Sequence, residues 1–204
     1  MKTLHLEIKK QLGFINPLKI LDHCLNQALN IKIYQKSWPM VLSTTDKKRV
    51  NSRVVLLKEL NKDCLIFYTN YLSQKGLEIR KNPQVAFNFY WPQLKKQIRG
   101  QGTLKKTSRK KSILYWNTRH QESQINQWIS QQSQAVADRQ SLKKLRQKAK
   151  NQFKNKNVPC PNHWGGYELK IHSIEFWLEG KNRLHDRFLF ERKRKLWKVK
   201  RLFP

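Results

Sequence analysis

Ionisable side chains are concentrated near the end of this 204-residue chain, in the segment "RLHDR" that ends at Arg187. If the segment is a strand, alternation places Arg183, His185 and Arg187 on one face, and Leu184 and Asp186 on the other. Arginine and histidine side chains on one face can bind an anionic ligand. The alternative is that the arginines pair with the aspartate and leave the histidine exposed. For these residues alone both interpretations stay open.

A second group of polar side chains could bind a phosphate at the start of a helix. The stretch "FYTNYLSQK" contains the hydroxyls of Tyr68, Thr69 and Ser73, followed by Lys75. A hydroxyl, a lysine and the N–H groups of a helix N-terminus can hold a phosphate without a glycine-rich loop. A polar turn with an N-cap is the alternative for Ser73 taken singly.

A third group lies in "YWNTRHQES", where Tyr115, Arg119 and Ser123 are four residues apart and would share one face of a continuous helix. That face is either a salt-bridged surface or a second phosphate clamp. Arg53 and Lys58 lie on the predicted strand "RVVLLKEL". Two cations there indicate an anion at the strand ends, although a lysine that extends its ammonium into solvent is the simpler account of Lys58 alone.

Helices and short strands must position these side chains. The pattern predicts a helix over Asn16–Asn30, with Asn16 as the N-cap and Pro17 as its first residue. Strands are predicted at 40–45, 53–60, 64–70, 84–91 and 96–104, a short helix with a serine cap after 72, two or three helices between 108 and 156, and four strands at 164–172, 173–180, 187–192 and 196–203. Gly165 and Gly166 indicate a backbone bend or close approach to a ligand. The order predicts an antiparallel meander or small barrel with helical additions, and excludes a Rossmann sheet.

The net charge of +30 is compatible with a partner that is a nucleic acid or an anionic membrane. Lysine, asparagine and isoleucine are abundant throughout, however, and no known nucleic-acid-binding motif accompanies the charge. Compositional drift is therefore the favoured explanation. No apolar run reaches the ~18 residues of a membrane span, and no signal peptide is recognisable. The cysteines at 24, 64 and 160 lack zinc-site spacing and predict thiols in a reducing cytosol, hence a cytoplasmic protein without a metal site.

Taken together, the motifs resemble those of the pyridoxine/pyridoxamine 5'-phosphate oxidases, a family of flavin enzymes with an FMN-binding split β-barrel. The matching segments are "RVVLLK", "FYTN", "SQKG", "YWNTR", "VPCPNHWGGY", "IEFW" and "RLHDR", in family order over nearly the whole chain. The resemblance implies a mainly β, α+β fold: one antiparallel split-barrel domain over 1–204. Its parts would be an N-terminal helix (16–30), the first barrel strands (40–104), a helical insertion (108–156) and C-terminal strands for dimerisation and substrate binding (158–204).

The resemblance also implies a role for each matching position. FMN would be bound by Arg53, Val54, Val55, Leu56, Leu57, Lys58, Tyr68, Thr69, Ser73, Gln74, Lys75, Gln97, Gln132, Ser133, Trp177 and Arg187, with some of these donated across a homodimer interface. The substrate, a phosphorylated B6 vitamer, would be bound by Lys58, Tyr115, Arg119, Ser123, Arg183, Leu184 and His185. Arg183 and His185 would hold the pyridine ring over the flavin as the catalytic pair, with His185 assisting proton removal. Molecular oxygen would then reoxidise the flavin and give hydrogen peroxide.

The chain departs from the family pattern in three places. Gln74 stands where an arginine commonly follows the serine, so one charge-assisted phosphate contact is lost. The segment 35–40 lacks the usual acidic residue, and the basic N-terminal arm is expected to be short. A split-barrel flavin reductase on another substrate, or a non-catalytic binder of FMN or pyridoxal phosphate, are therefore the alternative functions. Sequence-selective nucleic-acid binding is the least favoured.

Overall fold

The helices and strands of the chain are assigned in a computed structural model that describes residues 2–30, 38–61 and 64–204, with side chains from residue 5 onward. The α-helices are α1 Lys2–Leu12, α2 Pro17–Asn30, α3 Gln74–Lys81, α4 Arg109–Asn117, α5 Gln121–Trp128 and α6 Arg139–Gln152. The strands are β1 Trp38–Thr45, β2 Val50–Leu60, β3 Cys64–Asn70, β4 Gln84–Trp91, β5 Lys96–Lys106, β6 Trp164–Leu178, β7 Asp186–Lys193 and β8 Leu196–Leu202. Two short 3-10 turns cover Pro92–Leu94 and Lys181–Arg183. Of the segment 35–40, in which the usual acidic residue is missing, residues 35–37 lie outside the described residues.

Among the described residues, the strands form one antiparallel sheet in the order β3-β2-β1-β4-β5-β6-β7-β8. A further pairing of β3 with β6 closes six of these strands into a barrel. The first half of β6 pairs with β3, and the second half pairs with β7. The predicted antiparallel split barrel is therefore confirmed.

The barrel core is built by alternation along the strands. In β4 and β5 every second residue is buried, including Phe87, Phe89 and Ile98, while the residues between them face outward. The helix α2 begins where it was predicted, since Asn16 Oδ1 accepts a hydrogen bond from the Leu18 N–H at 2.9 Å and caps the first turn. Its apolar face packs on the barrel core.

The helical segment forms a second, smaller core. Trp116 of α4, Ile125 of α5 and Phe153 after α6 are buried together against Trp164 at the start of β6. The segment thus contains three helices, at the upper end of the two or three predicted. Its contact with β6 fixes α4 relative to the barrel.

The two strands predicted at 164–172 and 173–180 are one continuous strand, β6. The register between β5 and β6 shifts at Gln101/Gly102, so that His172 is an extra residue in β6 that has no register position opposite it in β5. Because this β-bulge resets the alternation, both Ile171 and Ile174 point into the core and the strand does not end.

Gly165 and Gly166 do not bend the chain, because both continue the strand β6. Both lie within β6, where an added Cβ would come within 2.2 Å of the Tyr71 hydroxyl and 2.7 Å of a Thr107 methyl. The close approach is therefore to the protein's own side chains. It allows the loop after β3 and the end of β5 to pack directly on the β6 backbone.

One helix was not predicted. Lysines and a histidine obscure the apolar pattern of α1, yet Ile8 and Leu12 are fully or nearly buried in the barrel core. Polar side chains of α1 contact the C-terminal strands: Gln11 donates a hydrogen bond to Asp186, and Glu7 pairs with Arg201. None of the helices in the described ranges is long and apolar enough to cross a membrane.

Candidate functional site

The first polar cluster surrounds Lys75 at the start of α3. Lys75 Nζ donates hydrogen bonds to Ser73 Oγ at 3.1 Å and to Gln132 Oε1 at 2.8 Å. Thr69 Oγ1 lies 3.5 Å from the same Gln132 oxygen, and Ser133 Oγ accepts from the backbone N–H of residue 74 at 3.2 Å. We call Thr69, Ser73, Lys75, Gln132 and Ser133 the Lys75 cluster. The loop before α6 thus meets the helix N-terminus, which is the arrangement that binds phosphate.

The charge of Lys75 is costly in this environment. Burial, and secondarily the Arg53 guanidinium, lower the pKa of Lys75 from 10.5 to about 8, while Glu78 opposes the shift. The two acceptors of the ammonium group, Ser73 and Gln132, are neutral. A phosphate beside Lys75 would stabilise the charged form, so the donors of the cluster fit a phosphorylated ligand.

Arg53 is held in place by a buried carboxylate. Its guanidinium donates to the Leu42 carbonyl at 3.2 Å and to Glu78 Oε2 at 3.2 Å. Glu78 is 6% exposed and also accepts hydrogen bonds from Asn51 at 2.7 Å and Gln74 at 3.1 Å. Gln74, which stands where the family commonly has an arginine, therefore turns its side chain toward Glu78.

The residues between Arg53 and Lys58 alternate across β2. Val55 and Leu57 point into the core, so only their backbone groups are available to a ligand. Val54 and Leu56 are 61% and 45% exposed on the outer face. Their side chains form an apolar surface that a flavin or a second subunit could cover.

The second polar cluster lies between β2 and α4. Lys58 is the extra residue of a β-bulge, since Leu57 pairs with Phe67 and Glu59 with Ile66. Burial, and then the nearby Arg119, lower the pKa of Lys58. A bulge re-aims the side chain it carries, and here it brings Lys58 toward Arg119.

Arg119 lies against an aromatic wall. Its guanidinium carbon is 4.9 Å from the ring centroid of Trp164 and 5.2 Å from that of Trp116. Tyr115 stacks on Tyr68, with ring centroids 3.9 Å apart and planes 16° apart. We call Lys58, Tyr115 and Arg119 the Arg119 clamp.

One nitrogen of the clamp has no partner. Arg119 Nη1 is buried and makes no hydrogen bond within the described part of the chain. Burial lowers the pKa of Arg119 as well. A buried guanidinium nitrogen without an acceptor is unfavourable, and an anion in the clamp would satisfy it.

The helix predicted through Tyr115, Arg119 and Ser123 is interrupted. α4 ends at Asn117, where Thr118 donates its backbone N–H to the carbonyls of the last turn, and α5 begins at Gln121. The prediction of one shared helical face is therefore wrong, and Ser123 lies in the first turn of α5. Because Arg119 lies in the turn after α4, its side chain can pack against Trp116 and Trp164.

A third group lies across β5, β6 and β7. Gln97 pairs with Trp177, and Trp177 pairs with Arg187, so the three residues form a row on the outer face of the sheet. Arg187 Nε donates to Glu175 Oε1 at 2.8 Å, and Arg99 Nη2 binds the other oxygen at 2.8 Å. Burial alone would raise the pKa of Glu175, but hydrogen bonds from both arginines lower it. Gln97 and Glu175 line a groove of about 470 Å³ on this face.

The segment "RLHDR" is a turn followed by a strand. Asn182 and Arg183 have φ values of 51° and 62°, which an extended strand cannot adopt, and β7 begins only at Asp186. The prediction that Arg183, His185 and Arg187 share a strand face is therefore wrong. Arg183 and Leu184 are exposed, and Asp186 pairs with Arg201.

His185 nevertheless joins the row of Trp177. The two ring centroids are 4.6 Å apart, and His185 Nδ1 accepts a hydrogen bond from the Gly180 N–H at 3.1 Å. Gln97, Trp177, His185 and Arg187, with Arg183 beside them, form what we call the Trp177 row. Among the described residues, no hydrogen bond, ion pair or ring contact is seen between the Trp177 row and either the Lys75 cluster or the Arg119 clamp.

Three residues near the clusters were not predicted as site residues. Nothing in the sequence around Glu78 or Glu59 distinguishes them from other acidic residues. Glu78 is recognised only by its contact with Arg53, and Glu59 only by its contacts with Tyr68 and Lys111. Trp164 was noted only as part of "WGGY". Its place before two glycines in an aromatic-rich segment is the signal that could have indicated a wall.

Comparisons with known proteins agree with this architecture. Burkholderia lata PhzG in complex with tetrahydrophenazine-1-carboxylic acid superimposes with a TM-score of 0.87 at 25% identity, over 96% of each chain. An FMN-binding protein of Nostoc punctiforme related to pyridoxamine 5'-phosphate oxidase has a TM-score of 0.70 at 15% identity, covering 90% of this chain and 95% of that one. The fold is that of the split-barrel proteins related to pyridoxamine 5'-phosphate oxidase.

Comparisons of the sequence identify the family within this fold. Residues 31–151 match the family model described as pyridoxamine 5'-phosphate oxidase, and residues 164–204 match the pyridoxine 5'-phosphate oxidase C-terminal dimerisation region. A pyridoxine/pyridoxamine 5'-phosphate oxidase of Leptospira interrogans is 40% identical over 177 residues, 87% of this chain and 83% of that protein. One of Coxiella burnetii is 42% identical over 166 residues, covering 81% and 84%. The chain belongs to the pyridoxine/pyridoxamine 5'-phosphate oxidase family.

Membership of this family supports an oxidoreductase of B6 metabolism that uses a flavin cofactor. The match at the C-terminus supports a homodimer. Among the described residues, no group of three or more histidine, cysteine, aspartate or glutamate side chains could hold a metal ion.

Proposed function

We propose that the chain is an FMN-dependent oxidase that converts pyridoxine 5'-phosphate and pyridoxamine 5'-phosphate into pyridoxal 5'-phosphate, with molecular oxygen as acceptor and hydrogen peroxide as product. The observation that carries the proposal is the unsatisfied Arg119 Nη1 in the clamp with Lys58 and Tyr115. The Lys75 cluster would serve as the phosphate site of the cofactor. A second cationic site suits an enzyme whose substrate is phosphorylated too.

The Lys75 cluster and Arg53 would hold the phosphate of FMN. Tyr68 and the β2 segment from Val54 to Lys58 would lie along the flavin. The Trp177 row of the second subunit would complete the site, because it makes no contact with the Lys75 cluster of its own chain. The assignment of 1–204 to a single domain, with its C-terminal strands at the dimer interface, is part of this proposal.

The substrate would bind with its phosphate in the Arg119 clamp, with Ser123 nearby. Arg183 and His185 would hold the ring. Bound FMN would supply the hydride-accepting chemistry of the reaction, with oxygen as the final electron acceptor. The chain contributes orientation and charge, which are the terms that positioned side chains add to a cofactor reaction.

The contact of His185 with Gly180 defines what the imidazole can do. Nδ1 accepts the Gly180 N–H at 3.1 Å, so the neutral ring carries its proton on Nε2. In that tautomer Nε2 donates a hydrogen bond and does not remove a proton. We therefore assign His185 to orienting the substrate oxygen or nitrogen, in place of the proton removal that the family resemblance suggested.

Two alternatives remain relevant. PhzG was solved with a carboxylic acid ligand, so an oxidase for an unphosphorylated acid is the second candidate. The turn of Gln74 toward Glu78 leaves the Lys75 cluster with one cation fewer than the family pattern has, which favours a weaker FMN binder.

The test uses the purified holoprotein. Its visible spectrum is recorded, pyridoxine 5'-phosphate is added in air, and the aldehyde product and hydrogen peroxide are measured. We expect flavin absorbance, both products in equal amounts, and loss of turnover at low substrate concentration in Arg119→Met.

Arg119→Lys is the matched control, because it keeps the charge while losing the guanidinium geometry, and should recover part of the activity. Flavin that is bleached by a chemical reductant but never by a B6 vitamer would overturn the proposal. Equal turnover of pyridoxine with and without its phosphate would also count against it.

A further inference from the structure

Glu59 connects three elements beside the Arg119 clamp. From β2, its Oε2 lies 3.0 Å from Lys111 Nζ on α4, and its Oε1 accepts a hydrogen bond from the Tyr68 hydroxyl of β3 at 3.2 Å. The side chains of Glu59 and Lys111 are 37% and 29% exposed, so the pair is partly shielded from solvent. It is thus a contact at the base of α4 rather than a free surface pair.

The bulge at Lys58 relates this contact to the clamp. Lys58 and Glu59 are consecutive, and the bulge fixes the direction of both side chains. Lys58 lies near Arg119. Glu59 instead binds Tyr68, the ring on which Tyr115 stacks. Two consecutive residues of β2 therefore contribute to the clamp: Lys58 belongs to it, and Glu59 contacts the residues that support Tyr115.

The charges of the clamp give this contact an electrostatic role. Lys58 and Arg119 are like charges in a partly buried space, and they repel each other while no anion lies between them. Lys58 lies on the barrel and Arg119 follows α4. The packing of α4 on β6 holds the helix to the barrel, and the Glu59–Lys111 contact adds an attraction between β2 and α4 that opposes this repulsion locally.

We propose that Glu59 and Lys111 are a positioning pair that holds α4 against β2 and so sets the spacing of Lys58 from Tyr115 and Arg119. The pair acts through the clamp. Its effect is confined to the phosphate end of the substrate, and this inference rests on the proposed function of that clamp. The Lys75 cluster, on the other side of β3, does not depend on the pair.

The first test measures the substrate constants of Glu59→Gln and Lys111→Met holoprotein. Glu59→Gln keeps an acceptor for Tyr68 but loses the ion pair. Because the pair is partly exposed, each variant should raise the KM for pyridoxine 5'-phosphate about two- to fivefold. FMN content, kcat and the KM for unphosphorylated pyridoxine should not change.

The double variant and a conservative variant distinguish positioning from general stability. Glu59→Gln with Lys111→Met should be no worse than either single change, since both remove the same contact. Lys111→Arg keeps the ion pair and should restore the wild-type KM. Lys150→Met, which removes the pair of Lys150 with Glu122 at 2.6 Å between α5 and α6, is the matched control because Lys150 is 33% exposed, and it should have no effect.

A second readout does not need turnover. Inorganic phosphate should bind the clamp of the holoprotein and change the fluorescence of Trp116 and Trp164, with an affinity that falls by the same factor in both single variants. If wild-type protein binds phosphate in this way but oxidises no vitamer, the proposed function fails and the positioning pair stands. Additive effects in the double variant, equal effects on pyridoxine with and without phosphate, or loss of FMN would overturn the pair.

Discussion

A single ammonium group, that of Lys75, makes the stability of the protein depend on pH, and in the proposed site it does the same for FMN binding. Its pKa of about 8 lies below the 10.5 of a free lysine, because burial and Arg53 both disfavour the charged form. Between these two values the unfolded chain binds more protons than the folded apoprotein. The stability of the apoprotein should therefore rise as pH increases from about 8 to 10.5, and the contribution of Lys75 is unfavourable below that window.

Binding of the FMN phosphate should have the opposite dependence. In the proposed site the phosphate would interact with charged Lys75, so at a pH above about 8 binding would be accompanied by uptake of a proton. We expect the Kd for FMN to increase steadily from pH 8 to pH 9.5, measured by flavin fluorescence quenching. Lys75→Arg remains charged over this range and should show a flat profile. An equally steep profile in Lys75→Arg would contradict the assignment to Lys75.

At the scale of the element, α3 combines a structural cap with a ligand group. Ser73 Oγ accepts the Gly76 N–H at 3.4 Å and also the Lys75 ammonium at 3.1 Å. Ser73→Ala should lower the free energy of unfolding by about 1 kcal/mol through the lost cap. It should also weaken FMN binding, because Lys75 loses one of its two acceptors. Urea unfolding of the apoprotein and FMN titration measure the two effects separately.

The matched control for this change is Ser108→Ala at the cap of α4. Ser108 Oγ accepts the Lys111 N–H at 3.2 Å and is far from the Lys75 cluster in the chain. The control should lose a similar amount of stability and retain the wild-type affinity for FMN. If both variants lose FMN equally, the effect of Ser73 is one of stability alone.

An element could be predicted from the sequence when the residues that determine it lie within the element itself. α2 and the first five strands follow from local signals, such as the cap at Asn16 and the alternation of β4. The continuity of β6 follows from pairing with β5, some seventy residues earlier in the chain, through the bulge at His172. Periodicity within β6 cannot reveal a bulge that its neighbour imposes.

The candidate site shows the same division. Sequence motifs indicated Lys75, Arg119 and His185, and the structure brings Lys75 to Gln132 and Arg119 to Lys58. The roles of these residues toward FMN and substrate stay predictions. The supports Glu59 and Glu78 depend on tertiary contacts, so no local pattern indicated them. The turn at Asn182 is closed by local hydrogen bonds, and the strand-like residues around it obscured the turn.

At the scale of the whole molecule, the separation of the Trp177 row from the Lys75 cluster predicts complementation between subunits. Lys75→Met would disable the cofactor phosphate site, and Arg183→Asn would disable the ring site while tolerating the positive φ of residue 183. If the groups come from different subunits, each hybrid dimer has one intact site. Random mixing of two inactive variants should then recover about a quarter of wild-type turnover.

The measurement is turnover after co-refolding of the two variants with excess FMN, compared with each variant refolded alone. Arg183→Asn refolded with wild type serves as the control for mixing. If all groups of one site came from the same chain, every site in a hybrid would carry one defect. No recovery in the mixture would therefore contradict a shared site.

The two pairings of β6 also have a consequence for how the protein is made. β3 is complete at residue 70, but its barrel partner begins only at Trp164, after the three helices. During synthesis, β3 and β5 must therefore wait on the ribosome with unpaired hydrogen-bonding edges until residue 178 has emerged. Open edges of this kind invite pairing with other chains. Slow translation of the lysine-rich stretch before Trp164 should lower the soluble yield more than slow translation of residues 2–30, because only the first delay prolongs the life of the open barrel.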